Sequence, residues 1–239
     1  MHKNVENMSL NYSPNFDSAK RSKSNIKYLI LHYTGMKSEI EAIRRLTSFK
    51  SRVSCHYFIK KNGEIIQIVP DLYTAWHAGV SFWKKDKYLN SKSIGIEISN
   101  RGHLHGYTNF SKNQIKTLIK ILKTLIKKYN IKKENILGHS DIAPLRKKDP
   151  GEKFPWEHLA KEKIVLWHNI NKKKLKSYRN IKLKNKNNFF KLLFKFGYVF
   201  SGKNYEKKKI VKNFQRRFRP ELINGVVDKE CYFILKSLI

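Results

Sequence analysis

The chain has 239 residues, 40% hydrophobic and 13% aromatic, enough for one substantial core plus a smaller second unit and too apolar for a disordered segment. Its formal charge of +33 comes with only 10 Arg among 51 basic residues; because Arg carries most phosphate and base recognition, no nucleic-acid partner is expected, only a general attraction to anionic polymers. The two cysteines, Cys55 and Cys231, exclude a disulfide framework or a cysteine-rich zinc site, and no apolar run is long enough for a transmembrane segment.

Residues 1–25 show no apolar periodicity and read as an N-terminal arm. With no apolar stretch or lipid-anchor cysteine there, the cytoplasm is the expected compartment, and the periplasm or cell envelope is the alternative. Regular patterning begins at Ile26. Tyr28 to Leu31 form a short apolar run, a buried strand ending at His32, with Gly35 turning the chain. Ser38 and Glu41 make a capping box ahead of Ile40, Ile43 and Leu46, so a helix follows. The stretch "VSCHYFIKKNGEIIQIV" holds two strand-like runs around Asn62-Gly63, a strong hairpin signal. In "SIGIEIS" (93–99), Ile94, Ile96 and Ile98 alternate with Gly95 and Glu97, the pattern of a strand.

Ser111 and Gln114 box the start of a long helix whose Ile115, Leu118, Leu122, Leu125 and Tyr129 follow a 3.6-residue period. A last strand in "NILGHS" ends at His139, and a short helix is expected after Pro155. This order predicts an α/β domain with one mixed central β-sheet over 26–166. Residues 167–187 are Lys/Asn-rich and read as a basic linker, and 188–239 hold three short helical patterns, a small C-terminal helical domain.

His32 and His139 stand at the C-terminal ends of two predicted strands, the edge where open α/β sheets bind ligands. Asp149 follows across a loop stiffened by Pro144, Pro150 and Gly151. Two histidines and a carboxylate are the minimum protein shell of a catalytic zinc. Glu97, opposite its isoleucines, is a carboxylate that needs a partner. Spacing alone leaves the bland reading open as well: strand-end histidines that only make hydrogen bonds, the polar side of an amphipathic strand, and a solvated turn.

The segments "YLILHYT", "VSCHYFIKKNGEIIQIV", "AWHAG", "LNSKSIGIEISNRG", "LGHSDIAP" and "RKKDPGEKFPW", in order over residues 26–160, resemble the zinc N-acetylmuramoyl-L-alanine amidases of the AmpD/AmiD type. "YSPNFDS" and "FQRRFRPELINGVVDKE" look more like the two-domain AmiD branch, whose C-terminal helices resemble a peptidoglycan-binding module. The resemblance implies one Zn2+ per chain, held by His32, His139 and Asp149, with Glu97 as the catalytic glutamate and Lys147 as the catalytic lysine. It implies hydrolysis of the amide between N-acetylmuramic acid, or its 1,6-anhydro form, and L-alanine in peptidoglycan or muropeptides. The alternative is a non-catalytic peptidoglycan-binding protein on the same fold; retention of the third ligand, Asp149, favours the enzyme. Trp76, His77, Asn90, Ser93 and Arg146 are expected to contact substrate or to support the ligands, Arg146 through a guanidinium suited to a peptide carboxylate. Since these residues all precede position 150, the tail is expected to act as an attachment module that small substrates do not need.

Overall fold

In the computed structural model, which describes residues 8–239, the elements follow in order as β1 (Met8–Leu10), β2 (Phe16–Asp17), β3 (Tyr28–Tyr33), α1 (Glu39–Thr47), β4 (Tyr57–Ile59), β5 (Ile65–Gln67), β6 (Thr74–Ala75), β7 (Phe82–Trp83), β8 (Asp86–Lys87) and β9 (Ser93–Ile98). Then come α2 (Lys112–Tyr129), β10 (Ile136–Gly138), α3 (His139–Ile142), α4 (Trp156–Lys161), α5 (Lys172–Ser177), α6 (Lys186–Phe196), α7 (Asn204–Phe218) and α8 (Lys229–Ser237). The main sheet has six strands in the order β1-β5-β4-β9-β3-β10. Its neighbours are parallel except the β4–β5 hairpin. Two ribbons, β2–β6 and β7–β8, stand apart from it.

The local signals act as expected. Ser38 caps α1 by accepting from Glu41 N. Ser111 and Gln114 close the capping box of α2, and Asn130 ends it in a left-handed conformation. In both cases side chains satisfy terminal N–H groups that a helix leaves free. Asp228 caps α8 through Cys231 N.

Alternation along the strands sorts two layers. Leu29, Leu31, Ile94, Ile96 and Ile98 meet Leu118, Leu122 and Leu125 of α2 and Leu159 of α4 on one face. The other face is divided. Phe58 and Ile66 pack under Ala42 and Leu46 of α1. Tyr28, Ile30 and Leu137 pack under Phe189, Leu193, Ile210, Phe214 and Leu235 of the C-terminal helices. The gap between these coverings, at the C-terminal ends of β3 and β9, is where the functional side chains emerge.

Three stretches differ in structure from their outline in the sequence. Residues 8–10, inside the expected arm, form β1, paired parallel with β5, and Arg21 is buried with its guanidinium on Asp71 O (2.8 Å) and Asn90 O (2.8 Å). The expected linker carries α5, with Leu175 buried among the helices. The helices after 188 share one apolar cluster with the sheet rather than closing a core of their own. A three-helix unit of that size hides too little surface by itself, and the bare second face of the sheet supplies the rest. Residues 1–7 of the arm lie outside the described residues.

Candidate metal centre

His32 lies one residue from the end of β3, and the parallel register of β3 with β9 sets it directly opposite Glu97. Both side chains therefore leave the sheet on the face opposite Leu31 and Ile96. His139 follows β10 at once as the first residue of α3, where Asp141 accepts from Gly138 N (2.8 Å) and closes the turn. Asp149 returns on the next loop, anchored by Ser140 N donating to its carbonyl (2.8 Å). The strand-to-helix switch is tight: a Cβ on residue 138 would meet Pro150 Cδ at 2.7 Å, so Gly138 is required there.

These placements bring Nδ1 of His32 and Nδ1 of His139 to 2.9 Å from each other, and each to 3.1 Å from Asp149 Oδ2. This is the one such ligand cluster among the described residues, and its three members are buried.

Hydrogen bonds behind the cluster fix which ring nitrogens face it. The Ser93 hydroxyl donates to Leu89 O (2.6 Å), so its oxygen accepts from His77 Nε2 at 3.1 Å. His77 Nδ1 is then an acceptor, and His32 Nε2–H donates to it (3.1 Å). His139 Nε2–H donates to Ala78 O (3.2 Å). Both Nδ1 atoms are left with lone pairs aimed at each other and at a carboxylate. Three acceptors at such distances repel unless a cation lies between them. Tetrahedral bonds of ~2.1 Å to one zinc-like ion put its ligands roughly 3.4 Å apart, close to the separations found, so the donor set fits a metal.

Electrostatics agree. Burial, and then the neighbouring His139, lowers the His32 pKa to about 4, so the ring is neutral, the form that binds metal. Glu97 moves the other way. Burial first, then the charge of Asp149, pushes it up to about 8, while Lys147 pulls it down. Its Oε2 is enclosed and has no hydrogen-bond partner, an orphaned acceptor that a water or cation in the cluster would satisfy.

A cleft of about 530 Å³ opens over the cluster, lined by Trp76, His77, Glu97, Arg146, Lys147 and Asp149 among others. All five proposed chemical residues gather here, His32 as the cluster's floor. Of the remaining expectations, Asn90 and Ser93 lie behind the ligands instead of in the cleft. Asn90 Oδ1 accepts from His77 N (3.1 Å) and Ala78 N (2.7 Å), holding the segment that supports both histidines. His77 lies flat against β9, where a Cβ on residue 95 would meet its Cγ at 2.4 Å, which explains Gly95. Arg146 stands at the rim with its guanidinium on the carbonyls of Ala78 and Val80. Trp76 donates from its indole to Asp17 Oδ1 (2.7 Å).

Sequence reasoning passed over the opposite wall. Tyr33 Oη lies 2.8 Å from His103 Nδ1, and His103 Nε2 lies 3.0 Å from Glu152 Oε2. The sequence offers one signal for His103, its place just after the "EISNRG" strand end.

The geometry can be set beside known proteins. The AmiD N-acetylmuramoyl-L-alanine amidase of Escherichia coli strain K12 is 35% identical over 237 aligned positions, covering 92% of this chain and 85% of that protein. A solved complex of AmiD from E. coli with the substrate anhydro-N-acetylmuramic acid-L-Ala-D-gamma-Glu-L-Lys superposes with a TM-score of 0.82, covering 93% of this chain and 91% of that one at 34% identity. AMPDH3 of Pseudomonas aeruginosa, solved with an anhydromuramic pentapeptide, has a TM-score of 0.81 at 28% identity, over 94% of this chain and 95% of that one. The Amidase_2 family profile matches residues 22–152, the span that carries five of the six strands of the main sheet, both histidines, Glu97 and Asp149, and the chain is a member of the N-acetylmuramoyl-L-alanine amidase family.

Proposed function

We propose that this amidase uses one zinc ion, held by His32, His139 and Asp149, to hydrolyse the amide joining the lactyl group of N-acetylmuramic acid, or its 1,6-anhydro form, to L-alanine. The observation that carries this reading is the convergence of the three ligand atoms beside the unpartnered Glu97 carboxylate. A zinc ion in that cluster supplies a Lewis acid that lowers the pKa of water toward ~7 and polarises a carbonyl.

The chain's own groups do the rest. Glu97, ionised once a cation offsets the burial and the charge of Asp149, takes the proton of the attacking water. It then returns that proton to the departing nitrogen of L-alanine. Lys147 presents its ammonium to the oxygen on which negative charge grows, an interaction typically worth ~3 kcal/mol. His77 and Ser93 keep the His32 ring in its ligating tautomer, and Asn90 holds the backbone that carries His77. Trp76 forms a wall of the cleft, and Arg146 meets a carboxylate of the stem peptide at the rim.

The test is direct. The purified protein, incubated with anhydromuropeptides and analysed by mass spectrometry, should release free stem peptide, and a chelator should abolish release together with one equivalent of zinc. Full activity in zinc-free protein would overturn the assignment. A protein that binds muropeptides and holds zinc yet releases no peptide would instead support the non-catalytic alternative.

A further inference from the structure

The loop between the second and third metal ligands is gripped from outside the family-matched span. Helix α7 begins at Asn204, well beyond residue 152, where the family match ends. Asn213 Nδ2 donates to Pro144 O (2.7 Å) and to Lys147 O (3.2 Å). Its own Oδ1 accepts from Arg216 Nη1, and Arg216 Nε donates to Glu152 Oε2 (3.0 Å). Arg217 pairs with Asp141 Oδ2 through Nη1 and reaches Ile136 O through Nη2 (3.2 Å), while its guanidinium lies 4.2 Å from the Trp156 ring centre. Asp141 also accepts from Tyr198 Oη (2.6 Å) and caps His139's helix.

Residues 213, 216 and 217 stand at i, i+3 and i+4, so one side of α7 touches the loop near its start, middle and end. Their burial gives the arrangement weight. Asn213 and Arg217 are 3% exposed and Arg216 is 9% exposed. Burying an amide and two guanidiniums is costly unless each finds partners, and the partners here are Pro144 O, Lys147 O and Asp141 of the loop that carries Lys147 and Asp149, Glu152 just after it and Ile136 O just before it. A module that only tethers the enzyme would present polar residues to solvent at this interface.

We propose that Asn213, with Arg216 and Arg217, is a positioning device for the reaction: α7 fixes the backbone of residues 144–147 and so aims the Lys147 ammonium. The inference rests on the amidase reading and on Lys147 acting in the cleft. Lys147 itself donates its N–H to Ala143 O (3.0 Å), so its carbonyl is the free backbone handle, and α7 takes it. Loss of that contact leaves the metal ligands in place, because Asp149 is held separately through Ser140 N. The loss should therefore be felt in the chemical step rather than in metal or substrate binding.

The experiment is steady-state kinetics of the full-length, zinc-loaded protein on a soluble anhydromuramyl tripeptide, with zinc content and thermal unfolding measured in parallel. Asn213→Ala should lower kcat by tenfold or more, with KM within about twofold and zinc stoichiometry unchanged. Phe214→Leu, on the same helix but facing the apolar cluster, supplies a destabilised control that should keep its kcat. If Asn213→Ala does not fold, Arg216→Gln, which loosens the grip on Asn213 and on Glu152, is read by the same criteria. A kcat within twofold of the parent, or an equal fall in Phe214→Leu, would overturn the proposal. A parent protein with no amidase activity would instead remove the reading beneath it.

Discussion

At the scale of the residue, Glu97 and the ligands should separate cleanly. Glu97→Gln keeps shape and burial but cannot accept a proton, so turnover should fall at least ~100-fold with zinc still bound. Activity assays paired with metal analysis check this; loss of zinc with normal activity per metal would mean Glu97 is a ligand. Ser93 offers a second test. Removing its hydroxyl frees the His77 ring to change tautomer and, through it, the His32 ring. Ser93→Ala should weaken zinc affinity by roughly 10-fold, the usual scale for groups that orient a metal-bound imidazole, as competition with a chromogenic chelator would show. His32, Glu97 and His139 were legible because strand ends and alternation expose them in the sequence. Asn213, Arg216 and Arg217 were not. They sit in the run "NFQRRFR", and an amphipathic reading sends such side chains to water. Ile210, Val211, Phe214 and Phe218 are buried on the same helix, so α7 is enclosed around most of its girth, a condition that neighbours impose and no local pattern announces.

At the scale of the element, α2 is tied down by more than its leucines. Asp71 accepts from Tyr57 Oη (2.5 Å), Tyr129 Oη (2.6 Å) and Lys128 Nζ (2.7 Å), joining the end of α2 to β4. Burial opposes charge on Asp71, but these hydrogen bonds prevail and hold its pKa below the ordinary value. A carboxyl depressed in the folded state stabilises at pH values above its unfolded pKa, near 4, and that contribution fades as pH falls through the folded value. Asp71→Asn should thus cost roughly 2 kcal/mol at pH 7 and make urea midpoints less sensitive to acid. An unchanged pH profile would show the cluster to be energetically idle. The long helices and the hairpin were readable because their caps and turn residues are local. Strand β1 and helix α5 were not: three residues pairing with a distant edge and one Leu among lysines carry no period of their own.

At the scale of the whole molecule, the C-terminal helices are a structural layer of the amidase. A chain ending near residue 170 would uncover Tyr28, Ile30 and Leu137 and leave Asp141 without Arg217. Such a truncation should bind a hydrophobic dye and unfold at markedly lower temperature instead of serving as a minimal enzyme; a fragment with the parent's melting point and turnover would refute the shared core. The +33 charge acts at longer range. Since screening shortens to ~3 Å at 1 M salt, added salt should release the protein from insoluble sacculi while barely changing turnover of a soluble tripeptide. Co-sedimentation and kinetics at matched ionic strength would tell whether these two responses separate. The pairing of His32 with Glu97 across β3 and β9 has a bearing on redesign. Neighbouring strands sit ~4.8 Å apart by backbone hydrogen bonding alone, so the interval between the proposed ligand and the proposed base works as a fixed ruler, indifferent to the chemistry around it. One residue inserted into β9 ahead of Ile96 would turn the Glu97 carboxylate to the opposite face and bring Ile96 beside the histidine–aspartate cluster, and no loop variant would recover it.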